Sequence, residues 1–148
     1  MFIQAFFEGI IAALGALVLE LGPAIFGLVF SKDSLPFIFF AVSVEEILKY
    51  AFIYNHYLKA KFQEKIIWSA FFIGLGFALA ELFLKQLDYR NASPFLVLGV
   101  ILVHLFTASA SGFFLTRKYN RQKCAILLLI SLNIALHFGY NFLILRYF

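Results

Sequence analysis

Five long apolar runs constrain this chain more than any other feature. They cover Phe2 to Phe30, Leu35 to Tyr57, Ile66 to Leu87, Pro94 to Thr116 and Cys124 to Leu145. A membrane-spanning helix needs about 20 mostly apolar residues, whereas a barrel strand needs only about 10 and alternates in polarity. The runs are too long for barrel strands and do not alternate. They predict an all-α fold, a polytopic transmembrane bundle of about five helices forming one domain over residues 1–148. Hydrophobic residues make up 64% of the chain and charged residues 14%, against roughly 45–50% and 25% in soluble domains. That balance excludes a soluble enzyme, a disordered chain and a nucleic-acid binder, and makes membrane lipid the first expected partner. The single cysteine, Cys124, permits neither an internal disulfide nor a thiolate metal cluster.

Pro36 and Pro94 stand near helix starts, where a missing N–H costs little. Pro23 falls inside the first run, so a kink or break is expected at Gly22-Pro23. The N-terminus carries Glu8 and no basic cluster, so a cleaved signal peptide is not expected. Loop charges set the orientation. Lys59, Lys61, Lys65, Arg117, Lys118, Arg121 and Lys123 fall on one side, and Lys32, Lys85, Arg90 and Arg146 on the other. This excess predicts a cytoplasmic N-terminus and an outside C-terminus; the plasma membrane of a prokaryote is a separate expectation.

Function is sought among the residues that lipid should exclude. Glu8, Glu20, Glu45, Glu46, Lys49, Glu81, His104 and His137 lie within the runs. Glu45, Glu46, Lys49 and Glu81 would together cost on the order of 10 kcal/mol if all were central and unpaired. At 1.5 Å per residue, Glu45, Glu46, His104 and His137 are expected near one plane, roughly 12–17 Å from the outer end. Glu81 and Asn141 are expected in a second layer, about 6–9 Å deep. Glu45 and Glu46 precede Lys49 by four and three residues, so one helical face can hold all three. His137 and Asn141 likewise share a face, with Asn133 one turn back, and His104 shares one with Thr107 and Ser111. Gly74 and Ala78 precede Glu81 on a stripe of small residues that lets another helix approach closely.

Two carboxylates and two histidines suit water activation. Like charges held close resist ionising together, so one carboxyl can take a proton from water and return it to a leaving group. In one version His104, His137 and Glu45 or Glu46 bind zinc, with an open coordination position. In the other, a glutamate activates water without metal, and the histidines and Asn141 stabilise the tetrahedral intermediate. The chain has no HExxH motif, which favours the metal-free version.

Val44-Glu45-Glu46-Ile47-Leu48-Lys49 resembles the EExxK motif of the PrsW-type intramembrane proteases, relatives of the CAAX-prenyl and bacteriocin-processing peptidases. Gly74-Leu75-Gly76-Phe77-Ala78-Leu79-Ala80-Glu81 resembles their GxGFAxxE helix. His104, with Thr107, Ala108 and Gly112, resembles the next histidine helix, and His137-Phe138-Gly139-Tyr140-Asn141 the final HxxxN helix. The order of the motifs matches, and Lys49 points to the PrsW branch. The resemblance implies membrane proteolysis of the kind that includes site-1 cleavage of membrane-bound anti-sigma factors. The implied catalytic set is Glu45, Glu46, Glu81, His104, His137 and Asn141, supported by Lys49. The implied substrate is a membrane-anchored protein or peptide.

Other readings stand beside this one. Glu45 and Glu46 can form a structural ion pair with Lys49. A non-catalytic scaffold would bind a partner's transmembrane helix along the Gly74/Ala78 stripe. A small carrier would use the carboxylates and histidines for proton or cation coupling, although no inverted repeat accompanies them. Glu8 is expected near the inner interface, Glu20 beside the Gly22-Pro23 break, and His56 in a solvated basic loop.

Overall fold

A computed structural model describes residues 1–25, 27, 31, 34–59, 64–84, 94–117 and 123–147. All the regular structure among them is helical: α1 (Phe2–Glu20), α2 (Gly22–Ile25), α3 (Leu35–Lys59), α4 (Glu64–Leu84), α5 (Pro94–Leu115) and α6 (Lys123–Tyr147). The first run breaks where its proline stands. α1 ends at Glu20, Leu21 forms the turn, and the four-residue α2 carries Gly22-Pro23. The expected continuation to Phe30 lies largely outside the described residues, as do residues 85–87 of the third run. α3 runs two residues beyond Tyr57, and α6 two beyond Leu145.

Four helices, α1, α4, α5 and α6, are long and apolar enough to cross a membrane. At 25 residues α3 is as long as α6, but Glu45, Glu46 and Lys49 interrupt its apolar sequence. This is the architecture of an integral membrane protein, an all-α bundle with its polar residues turned inward. Large apolar side chains such as Ile3, Phe7 and Ile11 on α1 and Phe95, Leu102 and Phe106 on α5 face outward.

α3 is the helix that meets the four long ones around it. Among the described residues α1 packs on α3 and α4, α5 on α3 and α4, and α6 on α3 and α5. Small residues make the closest approaches. Ala5, Gly9, Ala12 and Ala16 line the buried face of α1. A Cβ on Gly9 would run into the Ile73 carbonyl of α4, and one on Gly76 into the Phe6 carbonyl of α1. The two glycines therefore let the backbones of α1 and α4 touch, as small residues do where lipid offers no hydrophobic drive for association.

The α4–α5 seam uses the same device and aims the site. A Cβ on Gly74 would lie 2.8 Å from both the Ala108 Cβ and the His104 carbonyl, and one on Gly112 would lie 2.5 Å from the Ala70 Cβ. The Gly74/Ala78 stripe is thus already occupied by this chain's own α5, with Ala78 fully buried. That corrects the expectation that it serves a partner's helix: the small residues seat an internal neighbour. On antiparallel helices, side chains lean towards their own N-termini, so Glu81 and His104 lean towards each other across this seam.

Candidate active site

Glu45, Glu46 and Lys49 on α3, Glu81 on α4, His104 on α5 and His137 on α6 are all buried, none more than 6% exposed. α3, α4, α5 and α6 thus bring six ionisable side chains into one cluster. Burial on this scale is tolerable only if the groups satisfy one another, and the hydrogen bonds show how they do.

Lys49 is the hub. Its Nζ donates to Glu46 Oε1 at 2.6 Å, to His104 Nδ1 at 2.9 Å and to Thr107 Oγ1 at 3.0 Å. An ammonium has three hydrogens and no lone pair, so all its donors are used and His104 Nδ1 must accept. His104 then carries its proton on Nε2, which donates to Glu81 Oε2. Lys49 therefore fixes the tautomer of His104, and Glu81 receives its proton. The Phe77 ring lies beneath both, 5.1 Å from the Lys49 ammonium and 5.0 Å from the imidazole.

The two adjacent glutamates differ. Glu46 Oε1 accepts from Lys49, from His137 Nδ1 at 2.8 Å and from Thr107 Oγ1 at 3.3 Å. Three donors on one oxygen mark an ionised, anchored carboxylate. With Nδ1 turned to Glu46, His137 presents its Nε2 to Glu45. That nitrogen faces Glu45 Oε2 at 3.6 Å. The two imidazoles meet edge-on, with ring centres 4.7 Å apart. Glu45 and His137 Nε2 thus form a carboxylate–imidazole pair beside a fixed ionic centre.

Glu81 departs from the expected layering. It bonds His104 directly, whereas the sequence reading put it in a separate layer with Asn141. The lean of both side chains towards each other across the α4–α5 seam closes the gap. Asn141 is half-buried on α6, and among the described residues no hydrogen bond joins it to the cluster. His56 also differs from expectation. It sits on α3, not in a loop, on the face of Lys49 and Ile53. It is buried, with Nε2 2.7 Å from Glu8 Oε2 of α1. Its burial follows from α3 continuing to Lys59 and from α1 supplying an acid at that level. Gln4 donates to the other Glu8 oxygen at 2.8 Å. Glu20 is half-buried beside the turn at Leu21.

No family model, no curated protein and no solved structure matches this chain. The site must be read from its own geometry.

Thr107 gained a function that its residue type did not announce. It accepts from Lys49 and donates to Glu46, so it completes both ions. The sequence signal was only its place one turn after His104, and neutral hydroxyls are common in membrane helices.

Glu45, His104 and His137 can each bring one ligand atom within 4.8 Å of the others. Their identities suit zinc. Their hydrogen bonds suit it less well. A histidine binds a metal through a nitrogen lone pair, and both His104 nitrogens are engaged, Nδ1 by an ammonium and Nε2 by its proton to Glu81. Metal binding there would require His104 to give up Lys49 or Glu81, each a buried charge-assisted bond. As arranged, the donor set does not fit a metal, and no step below runs through one.

Proposed function

We propose that this chain is an intramembrane peptidase of the PrsW type, cleaving a membrane-embedded or membrane-proximal peptide bond without a metal. The observation that carries the proposal is the unequal treatment of two neighbouring glutamates. Glu46 is held by three donors, while Glu45 faces His137 Nε2 at 3.6 Å, the nitrogen that carries the lone pair in this reading. Glu46 is the anchor and Glu45 the base.

In this reading, one water gives its hydrogens to Glu45 and to His137 Nε2, and its oxygen lone pair points at the scissile carbonyl carbon. The oxygen–carbon bond forms as Glu45 takes one proton. The carbonyl π electrons move to oxygen, giving a tetrahedral oxyanion. Asn141 lies on the His137 face of α6 and is the neutral amide that can donate to it. Glu45 then returns its proton to the leaving nitrogen as the carbon–nitrogen bond breaks. His104, fixed by Lys49 and Glu81, packs against His137 and holds its ring in place. General-base assistance of this kind is worth about 10²–10⁴ in rate. The substrate is a membrane-anchored protein or peptide. The N-terminus lies in the cytoplasm and the C-terminus outside, in a prokaryotic plasma membrane.

The test is a cleavage assay on purified full chain, with a panel of tagged single-span membrane peptides and with or without a strong chelator. Wild type should cleave at least one peptide in both conditions, and Glu45→Gln should lose turnover by about 10²–10⁴-fold while still binding that peptide. Full activity in Glu45→Gln would overturn the assignment of the base. Chelator-sensitive cleavage would overturn the metal-free version. Proton- or cation-coupled flux without cleavage would favour a carrier.

A further inference from the structure

α6 carries His137 but packs only on α3 and α5 among the described residues, so something must set its rotation and height. Asn133, one turn before His137, is 4% exposed. It uses both of its amide hydrogens on α5, donating to the Thr107 carbonyl at 3.1 Å and to Ser111 Oγ at 3.0 Å. Ser111 Oγ passes its own hydrogen to the same Thr107 carbonyl at 3.0 Å. Thr107 is the residue whose hydroxyl completes Lys49 and Glu46. On the other side of His137, the Tyr140 hydroxyl donates to the Leu96 carbonyl of α5 at 2.8 Å. Its ring fills the notch at Gly99, where a Cβ would lie 2.7–2.8 Å from ring carbons. α6 is thus bonded to α5 one turn below and about one turn above its histidine.

We propose that Asn133 is a positioning residue. Its bonds to Thr107 and Ser111 fix the register of α6 so that His137 Nδ1 meets Glu46 and Nε2 faces Glu45. It also ties that register to the Lys49–Glu46 pair through Thr107. A polar amide inside an apolar span has a simpler use as interhelical glue. Glue alone would change stability and leave the His137 proton where it is. A positioning role moves that proton. The effect on turnover rests on the peptidase reading above; the effect on His137 does not.

The experiment uses full-length chain with ¹⁵N-labelled histidine in detergent micelles. In wild type, His137 should show a protonated Nδ1 and a bare Nε2. In Asn133→Leu, which keeps the branched arrangement of heavy atoms and removes both donors, the two nitrogen signals should move towards each other as the tautomers mix. On any peptide that wild type cleaves, turnover should fall by about 100-fold, as for a group misplaced by about 1 Å, with KM within about twofold. If Asn133→Leu does not fold, Ser111→Ala, which removes one of the two acceptors, should shift the same signals by a smaller amount. Tyr140→Phe serves as the companion variant for the upper tie. A folded Asn133→Leu protein with unchanged His137 nitrogens overturns the proposal, even if its melting temperature falls. If wild type cleaves nothing, the peptidase reading fails, and the His137 signals still decide the role of Asn133.

Discussion

The α1–α4 seam and the centre where α3, α4, α5 and α6 meet solve the same problem with opposite means. At the seam, Gly9 and Gly76 remove side chains so that backbones touch. At the centre, six ionisable groups are buried, and hydrogen bonds from Lys49, Thr107 and the two histidines join five of them. The seam holds helices together by contact. The centre depends on every proton being in its place. In a bilayer neither can lean on the hydrophobic effect between helices, because lipid is as apolar as the side chains. A change at the seam should therefore weaken the bundle and leave the chemistry of the centre alone, whereas a change at the centre should alter both.

The largest expected effect follows from removing the hub. Lys49→Met leaves the Glu46 carboxylate buried without its ammonium and frees His104 Nδ1, and stability should fall by about 3–5 kcal/mol. Chemical unfolding in mixed micelles measures this, and a change near zero would mean that the centre is not held as an ionic unit. Next comes the seam. Gly76→Val puts carbon where the Phe6 carbonyl stands and should cost about 1–3 kcal/mol. The ¹⁵N signals of His104 and His137 should stay at their wild-type positions. Movement of those signals would erase the contrast between the regions. The smallest effect belongs to Thr107→Val, which keeps the shape and loses the hydrogen bonds to Lys49 and Glu46. It should cost about 1–3 kcal/mol, towards the lower end because Lys49 keeps two acceptors. Its turnover should fall more than its stability does, and the reverse would make Thr107 mere glue.

Much of this was readable from residues alone. Ionisable groups in apolar runs are costly, so Glu45, Glu46, Lys49, Glu81, His104 and His137 stood out before any coordinates. The helical runs and the break at Pro23 were legible because span length and a missing N–H are local properties. What was not legible depended on which helix lies beside which. Glu45 and Glu46 are chemically identical neighbours, and only the crossing of α5 and α6 gives one three donors and sets the other 3.6 Å from His137 Nε2. His56 read as a loop residue because basic residues follow it, but Glu8, nearly fifty positions earlier, gives it a buried partner. The Gly74 stripe correctly signalled a close helix neighbour without saying whether that neighbour belonged to this chain. Asn133 and Thr107 carry no charge, so only their places one turn from His137 and His104 set them apart from ordinary polar residues of a membrane helix.

The central claim is that two adjacent glutamates hold different jobs, and the most direct test compares their amides. Glu45→Gln and Glu46→Gln, purified as full chains, should be unfolded side by side under one set of conditions. Glu46→Gln strands the Lys49 ammonium and should lose about 3–5 kcal/mol, while Glu45→Gln should lose about 2 kcal/mol less, because the 3.6 Å contact of Glu45 with His137 is looser than the charge-assisted bonds on Glu46. Equal losses, or a larger one in Glu45→Gln, would contradict the division of anchor from base.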